Sequence, residues 1–395
     1  MLNDVDTAVR LPAPPLFAVW DVRLNPAVMG PVVIAAAVVL AGPGLARRMS
    51  WGALLVAVAG AALAWDVSLA LVDGLLEIHD PLARKTQYIH VVGDVGSSPG
   101  AFLASFTERI DDYPTHVRAH PPAFVLGLWG LDQVGLGGTW AASVVVLALA
   151  VTAGPAALIA LRELAGEDAA RRAAPYLVLT VAALSIATTA DAAFMAVGAW
   201  AIAALVLAIV RRSDALAVVG GLLLGVALFC SYGLVLLACI PVAVAAVRRR
   251  IRPLMVAAGT VALVVGAVWL AGFWWWDGFQ TTRREYAESP ARVRPYEFFV
   301  FNNLAATLIW LGPAVVLALT RLRCRETWLL VGGGLAAILL ANLSGLSKAE
   351  VERIWLPFTL WILLATAALP LASRWPLVAQ ASVAIVVAVG TRNPW

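Results

Sequence analysis

Apolar runs long enough to cross a hydrocarbon core recur from residue 28 to the end of this chain. A bilayer core of about 30 Å takes roughly 20 helical residues. Inside it a chain satisfies its own backbone hydrogen bonds only as helices or as a closed barrel. Unbroken runs, without alternation of apolar and polar residues, select helices. Composition agrees, with 62% hydrophobic and 13% charged residues, against roughly a quarter charged in soluble domains. The expected fold is all-α: a polytopic transmembrane helix bundle forming a single domain over residues 1–395.

Expected spans cover 28–46, 51–73, 139–161, 174–190, 192–210, 215–231, 232–247, 254–273, 301–320, 327–343, 354–372 and 376–391, about twelve in all. Arg47-Arg48, Arg162 with Arg171-Arg172, Arg211-Arg212, Arg248 to Arg250, and Arg321-Arg323-Arg325 all fall on one side of this alternation. Because positive charge is retained in the cytoplasm during insertion, that side is assigned as cytoplasmic. Residues 74–137 then form a long external loop, residues 274–300 form a second, and residues 1–50 contribute an additional N-terminal span. The stretch Pro121 to Gly137 is interrupted by Asp132 and Gln133, so it is expected to lie in the outer interface as a membrane-parallel helix.

These features exclude several classes. The formal charge of +4 comes from residues at span ends, so no nucleic-acid partner is implied. Cys230 and Cys239 lie within apolar runs and Cys324 in a basic turn, which is no disulfide framework. Residues 1–27 lack the basic-then-apolar order and cleavage site of a secretory signal, so the first span is expected to remain. Arginine outnumbers lysine so heavily that a G+C-rich bacterial gene and the bacterial plasma membrane are expected.

The four histidines, His79, His90, His116 and His120, all fall in the first external loop, beside Asp80, Asp94, Glu108, Asp111 and Asp112. That loop is the candidate active site, although a loop of this length must be polar in any case. Gly93 to Pro99 reads as a turn before a helix whose apolar stripe is Phe102, Leu103, Phe106 and Ile110, which puts Asp94 at the start of an amphipathic helix on the membrane. His116 and His120 are four apart, the spacing of a two-histidine metal pair. Pro114 and Pro121-Pro122 argue against a regular helix there, and no third ligand has a fixed spacing, so no metal is assigned and no cofactor is expected. Arg118 lies between the two histidines and is grouped with them as a binding candidate. Asp191 opens a span at its outer end and is either a helix cap or a functional carboxylate. Asp66, deeper in a span, is given no role. The second external loop carries Trp274 to Trp276, Arg283-Arg284, Arg292, Arg294 and Tyr296, with the indoles suited to the interfacial belt. The arginines suit anionic headgroups or a lipid phosphate, which a guanidinium grips bidentately.

The order Asp94, amphipathic helix, His120-Pro121-Pro122 resembles the first external loop of the GT-C membrane glycosyltransferases. The resemblance is to the protein O-mannosyltransferase and aminoarabinose transferase branch, where an acid opens the loop helix and a His-Pro-Pro or Lys-Pro-Pro element follows. Arg162-Glu163-Leu164-Ala165-Gly166 with Ala169 to Arg172 is similar to that family's basic cytoplasmic turn, and Asp191-Ala192 to the acid of its next external helix end. Glu352-Arg353-Ile354-Trp355-Leu356-Pro357 resembles its Arg-Tyr-x-x-Pro element. The likeness spans about residues 51–372.

The resemblance implies transfer of a sugar from a polyprenyl-phosphate carrier to an extracytoplasmic acceptor. It casts Asp94 as general base, with Asp80 and Asp73 as competitors for that role, and Arg353 as the cation holding the departing phosphate. His120 would position the base or the acceptor, and Asp191 would orient a sugar hydroxyl or support the loop. His116, Arg118, Arg294 and Tyr296 complete the expected substrate-binding set. A lipid or solute transporter and a non-enzymatic envelope-assembly protein are the alternative classes.

Overall fold

A computed structural model describes residue 9 and residues 11–394. Over these residues the protein is almost wholly helical, and its named strands are two short pieces, Val19–Trp20 and Thr391–Arg392, paired antiparallel. Six helices are long and apolar enough to cross a bilayer: Pro26–Arg48, Trp51–Ala70, Thr139–Ala165, Ala190–Arg211, Arg252–Leu270 and Arg325–Leu343. A seventh crossing is available if Tyr296–Leu311 and Pro313–Arg321, which meet at 93°, form one broken span. Four more apolar helices are shorter: Asp214–Cys230, Tyr232–Arg248, Leu356–Ala368 and Trp375–Gly390.

Of the twelve spans expected from hydropathy, six are thus met by helices long enough to cross, and the others are shorter, bent or broken. Expected span 174–190 is replaced by helix Glu167–Val178 and a 3-10 turn Val181–Ser185. There the hydroxyl of Thr180 caps the turn at Ala182 and that of Thr189 bonds back to the carbonyl of Ser185 at 2.7 Å, drawing backbone groups out of a regular ladder. The run 301–320 breaks at Gly312, whose φ of +78° favours glycine. A Cβ there would also meet the side-chain amide of Gln380, which itself bonds Leu311 and Ala314 across the break. Residues 123–133 form one helix of 11 residues, Ala123–Gln133, about 16 Å long and so too short to cross.

Burial identifies the centre of the bundle. The most apolar window of Ala190–Arg211 is 72% buried, against 17% for Arg252–Leu270, so the first is the central helix and the second lies at the rim. Asp214–Cys230 packs closely against the rim helix because Gly221 and Gly225 remove side chains from the contact. A Cβ on Gly221 would stand 2.7 Å from the carbonyl oxygen of Ala257. Close approach over small residues replaces the hydrophobic driving force that is missing between helices in lipid.

The bundle has two chemically distinct ends. At one, Arg171 donates to the carbonyls of Ala46 and Met49, Arg172 to that of Ala367, and Arg250 to those of Ile209 and Val210, while Arg211 pairs with Glu163. The basic turns therefore gather together. At the other end the polar connections meet: Arg118 reaches Glu285, Thr282 donates to the carbonyl of Arg118, and Arg294 donates to the carbonyl of Lys348. The segment before the first long helix lies across this second end. The N–H of Phe17 bonds Glu352, Asn302 donates to the carbonyl of Pro15, and Arg23 pairs with Asp73.

Candidate active site

Helix Ala190–Arg211 begins at the polar end with Asp191 in its first turn, where unsatisfied N–H groups favour a negative charge. Its carboxylate receives a 2.6 Å hydrogen bond from Nη1 of Arg353, and the pair is almost completely enclosed, at 3% and 7% exposure. The Coulomb attraction inside such an enclosure is large, but so is the desolvation cost. Arg353 recovers that cost through further bonds. Its Nη2 donates to Glu350 at 2.6 Å and to Nδ1 of His116 at 3.3 Å. Burial opposes the guanidinium charge, yet the carboxylates of Asp191 and Glu350 outweigh it and raise its pKa above the ordinary value.

Arg353 sits on the one-turn helix Val351–Ile354, immediately before the fully buried Trp355. Two successive residues before that turn, Ala349 and Glu350, have φ of +72° and +60°. Neither is glycine, and left-handed backbone costs about 1–2 kcal/mol for each such residue. Asn303 helps hold this geometry, accepting from the N–H of Ala349 and donating to the carbonyl of Ser347 and to Asn342. The consequence is that Glu350 folds back onto Arg353 three residues later, with its side chain still 27% exposed.

The histidines come from the first polar connection. The N–H of His116 bonds the carbonyl of Thr86, which fixes the one-turn helix Thr115–Arg118 against the start of that connection. His116 is half-buried beside Arg353, and desolvation and then the neighbouring cation push its pKa down to about 3. Its Nδ1 faces a donor and therefore carries the lone pair. His120 Nδ1 lies 2.9 Å from the carbonyl of His116 and 2.8 Å from the hydroxyl of Tyr88. A carbonyl only accepts, so Nδ1 of His120 holds the proton and Nε2 is left as a base. Burial lowers the pKa of His120 as well, and both imidazoles are neutral at physiological pH. Phe194, one helical turn from Asp191, packs against the His120 ring at 5.6 Å.

The structure therefore brings His116, His120, Asp191 and Arg353 into one cluster, and adds Glu350 and Tyr88, which sequence reasoning missed. It does not bring Asp94 or Asp80 there. Asp94 is 41% exposed on the short helix Val92–Val95 and pairs with Arg109 at 3.3 Å. Asp80, 42% exposed, lies 3.6 Å from His79, and Asp73 pairs with Arg23. Arg118 ties the first connection to the second through Glu285 and donates to the carbonyls of Tyr113 and Asp111. Arg294 and Tyr296 brace the segment carrying Glu350 from behind, through the carbonyls of Lys348 and Leu343. Arg294 also stacks over Phe17 and Phe299.

His79 and His90 are engaged elsewhere, with Thr139 and with the carbonyls of Ala83 and Arg84. Among the described residues no group of three His, Cys, Asp or Glu side chains converges as a metal site. Glu350 carried a signal in its i,i+3 spacing to Arg353. Tyr88 carried none. Comparison of the chain with protein-family models, with curated proteins and with solved structures finds no match.

Proposed function

We propose that this protein is a bacterial plasma-membrane glycosyltransferase of GT-C type, which moves a sugar from a polyprenyl-phosphate carrier to an acceptor on the extracytoplasmic side. The observation that carries the reading is the enclosed Arg353, held by two carboxylates and a neutral histidine at the end of the bundle opposite the basic turns. Three residues given a role by the family resemblance, His120, Asp191 and Arg353, meet there together with His116. In this reading the four shorter apolar helices, the bent pair and the Glu167–Ser185 segment also cross, giving twelve spans with the basic turns in the cytoplasm. Residues 74–137 and 274–300 then cover the outer end.

The reaction is a displacement at the anomeric carbon. The acceptor hydroxyl forms the new C–O bond, the bond from carbon to the carrier phosphate oxygen breaks, and the hydroxyl proton passes to a carboxylate. Arg353 holds the departing phosphate, whose charge develops as the bond breaks. Asp191, the more deeply enclosed carboxylate, keeps the guanidinium in place. Glu350 lies on the same guanidinium and faces outward, so it receives the base role in preference to Asp94 and Asp80. Neutral His120 offers Nε2 to an acceptor or sugar hydroxyl. The test is thin-layer analysis of membranes supplied with a panel of labelled polyprenyl-phosphate sugars. Label should leave the carrier with wild-type protein and remain on it with Arg353→Lys; no turnover across the panel overturns the assignment.

One feature favours a transporter instead. The 93° break at Gly312 has the form of the interrupted helices that line substrate paths in secondary transporters. Uptake of a lipid-linked sugar or solute without cleavage would select that reading.

A further inference from the structure

At the basic end, the last two turns of the Met29–Arg48 helix and the connection into Trp375–Gly390 enclose a groove of about 870 Å³. Its lining includes Arg47, Arg48 and Arg374, the apolar side chains of Leu40 and Leu45, and the indole of Trp375, with no aspartate or glutamate. Leu40, Leu45 and Trp375 are 62%, 50% and 80% exposed. Arg374 bridges the two walls by donating to the carbonyl of Leu40 at 3.3 Å.

The neighbouring basic turns are largely neutralised within the protein: Arg162 and Arg171 by Glu167, Arg211 by Glu163, Arg252 by Asp214. The side chains of Arg47 and Arg48 make no hydrogen bond or ion pair among the described residues, nor do those of Arg248, Arg249 and Arg321. Arg47 and Arg48 differ from those three in lining this groove together with Arg374. Orientation during insertion needs positive charge on this side but does not need three guanidinium groups to face one concave surface beside exposed leucines.

We propose that the groove is a binding site for an anionic phospholipid of the cytoplasmic leaflet. The headgroup phosphate would lie among Arg47, Arg48 and Arg374, the indole of Trp375 at the headgroup boundary, and an acyl chain along Leu40 and Leu45. The chemistry is charge complementarity with bidentate donors at the depth where the cytoplasmic leaflet carries its negative surface charge. Such a lipid joins the first long helix to the last one across a gap that the protein leaves open.

The experiment is independent of the enzyme assignment. Full-length protein is equilibrated in vesicles of equimolar phosphatidylglycerol and phosphatidylcholine, extracted gently, and its retained lipid counted by native mass spectrometry. Wild-type protein should retain phosphatidylglycerol preferentially, and each of Arg47→Gln, Arg48→Gln and Arg374→Gln should lower that preference about fivefold. A triple Gln variant at Arg248, Arg249 and Arg321, which removes three charges where each groove variant removes one, should keep it. Ala372→Glu, which adds a carboxylate at an exposed lining position without removing an arginine contact, should also abolish it and guards against misfolding of the arginine variants. The proposal is overturned if wild type shows no preference, if the Arg248/Arg249/Arg321 variant loses as much as the groove variants, or if Ala372→Glu binds phosphatidylglycerol normally.

Discussion

Substituting Gln for Glu352 should remove one titration from the stability of the protein, and the size of the effect follows from where the carboxyl sits. Its side chain is 3% exposed; Oε1 accepts the N–H of Phe17 at 2.6 Å, and Oε2 has no hydrogen-bond partner. Burial pushes its pKa up from 4.5 to about 7, against the lowering effect of the Phe17 bond. A carboxyl whose folded pKa is raised binds its proton more tightly when folded, so its contribution is complete below the unfolded pKa and is lost as pH rises through the folded one. A tenfold difference in proton affinity between the two states is worth about 1.4 kcal/mol, so roughly 3 kcal/mol disappears between pH 4.5 and 7. The neutral histidines His116 and His120, whose pKa values desolvation lowers, act in the opposite sense, weakening the fold as pH falls below their unfolded value. The difference between variant and wild type, not either curve alone, therefore isolates Glu352. Gln is neutral, similar in shape, and can still accept from Phe17. Unfolding by SDS titration in mixed micelles, at half-unit steps from pH 4.5 to 8.5, should show the variant gaining on wild type up to about pH 7 and holding a constant lead above it. A gap that does not change with pH would refute the reasoning, because the carboxyl would then not be protonated within its enclosure.

Arg353→Ala should destabilise the protein by about 3–5 kcal/mol, since it strands Asp191 as an unpaired buried charge; Asp191→Asn combined with it should recover part of the loss in the same SDS titration. Glu350→Gln should lower turnover by about 10²- to 10⁴-fold in the labelled-donor assay, as expected for loss of a positioned base, whereas Asp94→Asn and Asp80→Asn should leave it near normal. The opposite ranking would return the base role to residues 74–137. A reporter active only outside the cytoplasm should work when fused near residue 100 or 285 and fail near 168 or 249; reversed activities would place the Arg353 cluster in the cytoplasm and end the proposed reaction.

The membrane class was legible because charge is so costly in lipid that its scarcity dominates the composition. The same cost made Asp191 and Arg353 conspicuous, as ionisable residues beside apolar runs. Exposure was not legible: Asp94 looked like a site carboxylate, but Arg109, 15 residues on, neutralises it in the open. The approach of Glu350 depends on two left-handed residues with no glycine among them to announce the turn. Hydropathy measures the length of an apolar run and not the continuity of its helix, so it could not see the right-angled break at Gly312 or the 3-10 turn after Thr180.

The segment lying across the polar end imposes an order on assembly. Phe17 and Glu352 are 335 positions apart, and Nη2 of Arg23 donates to the carbonyl of Ala388 across 365. Nearly the whole chain must be made and inserted before the early segment finds these partners, although Asp73 is available to Arg23 much sooner. Contacts of such wide sequence separation form late, because loop closure is paid before they reward it. The polar end is thus closed by a clasp that is complete only after the final helix is in place.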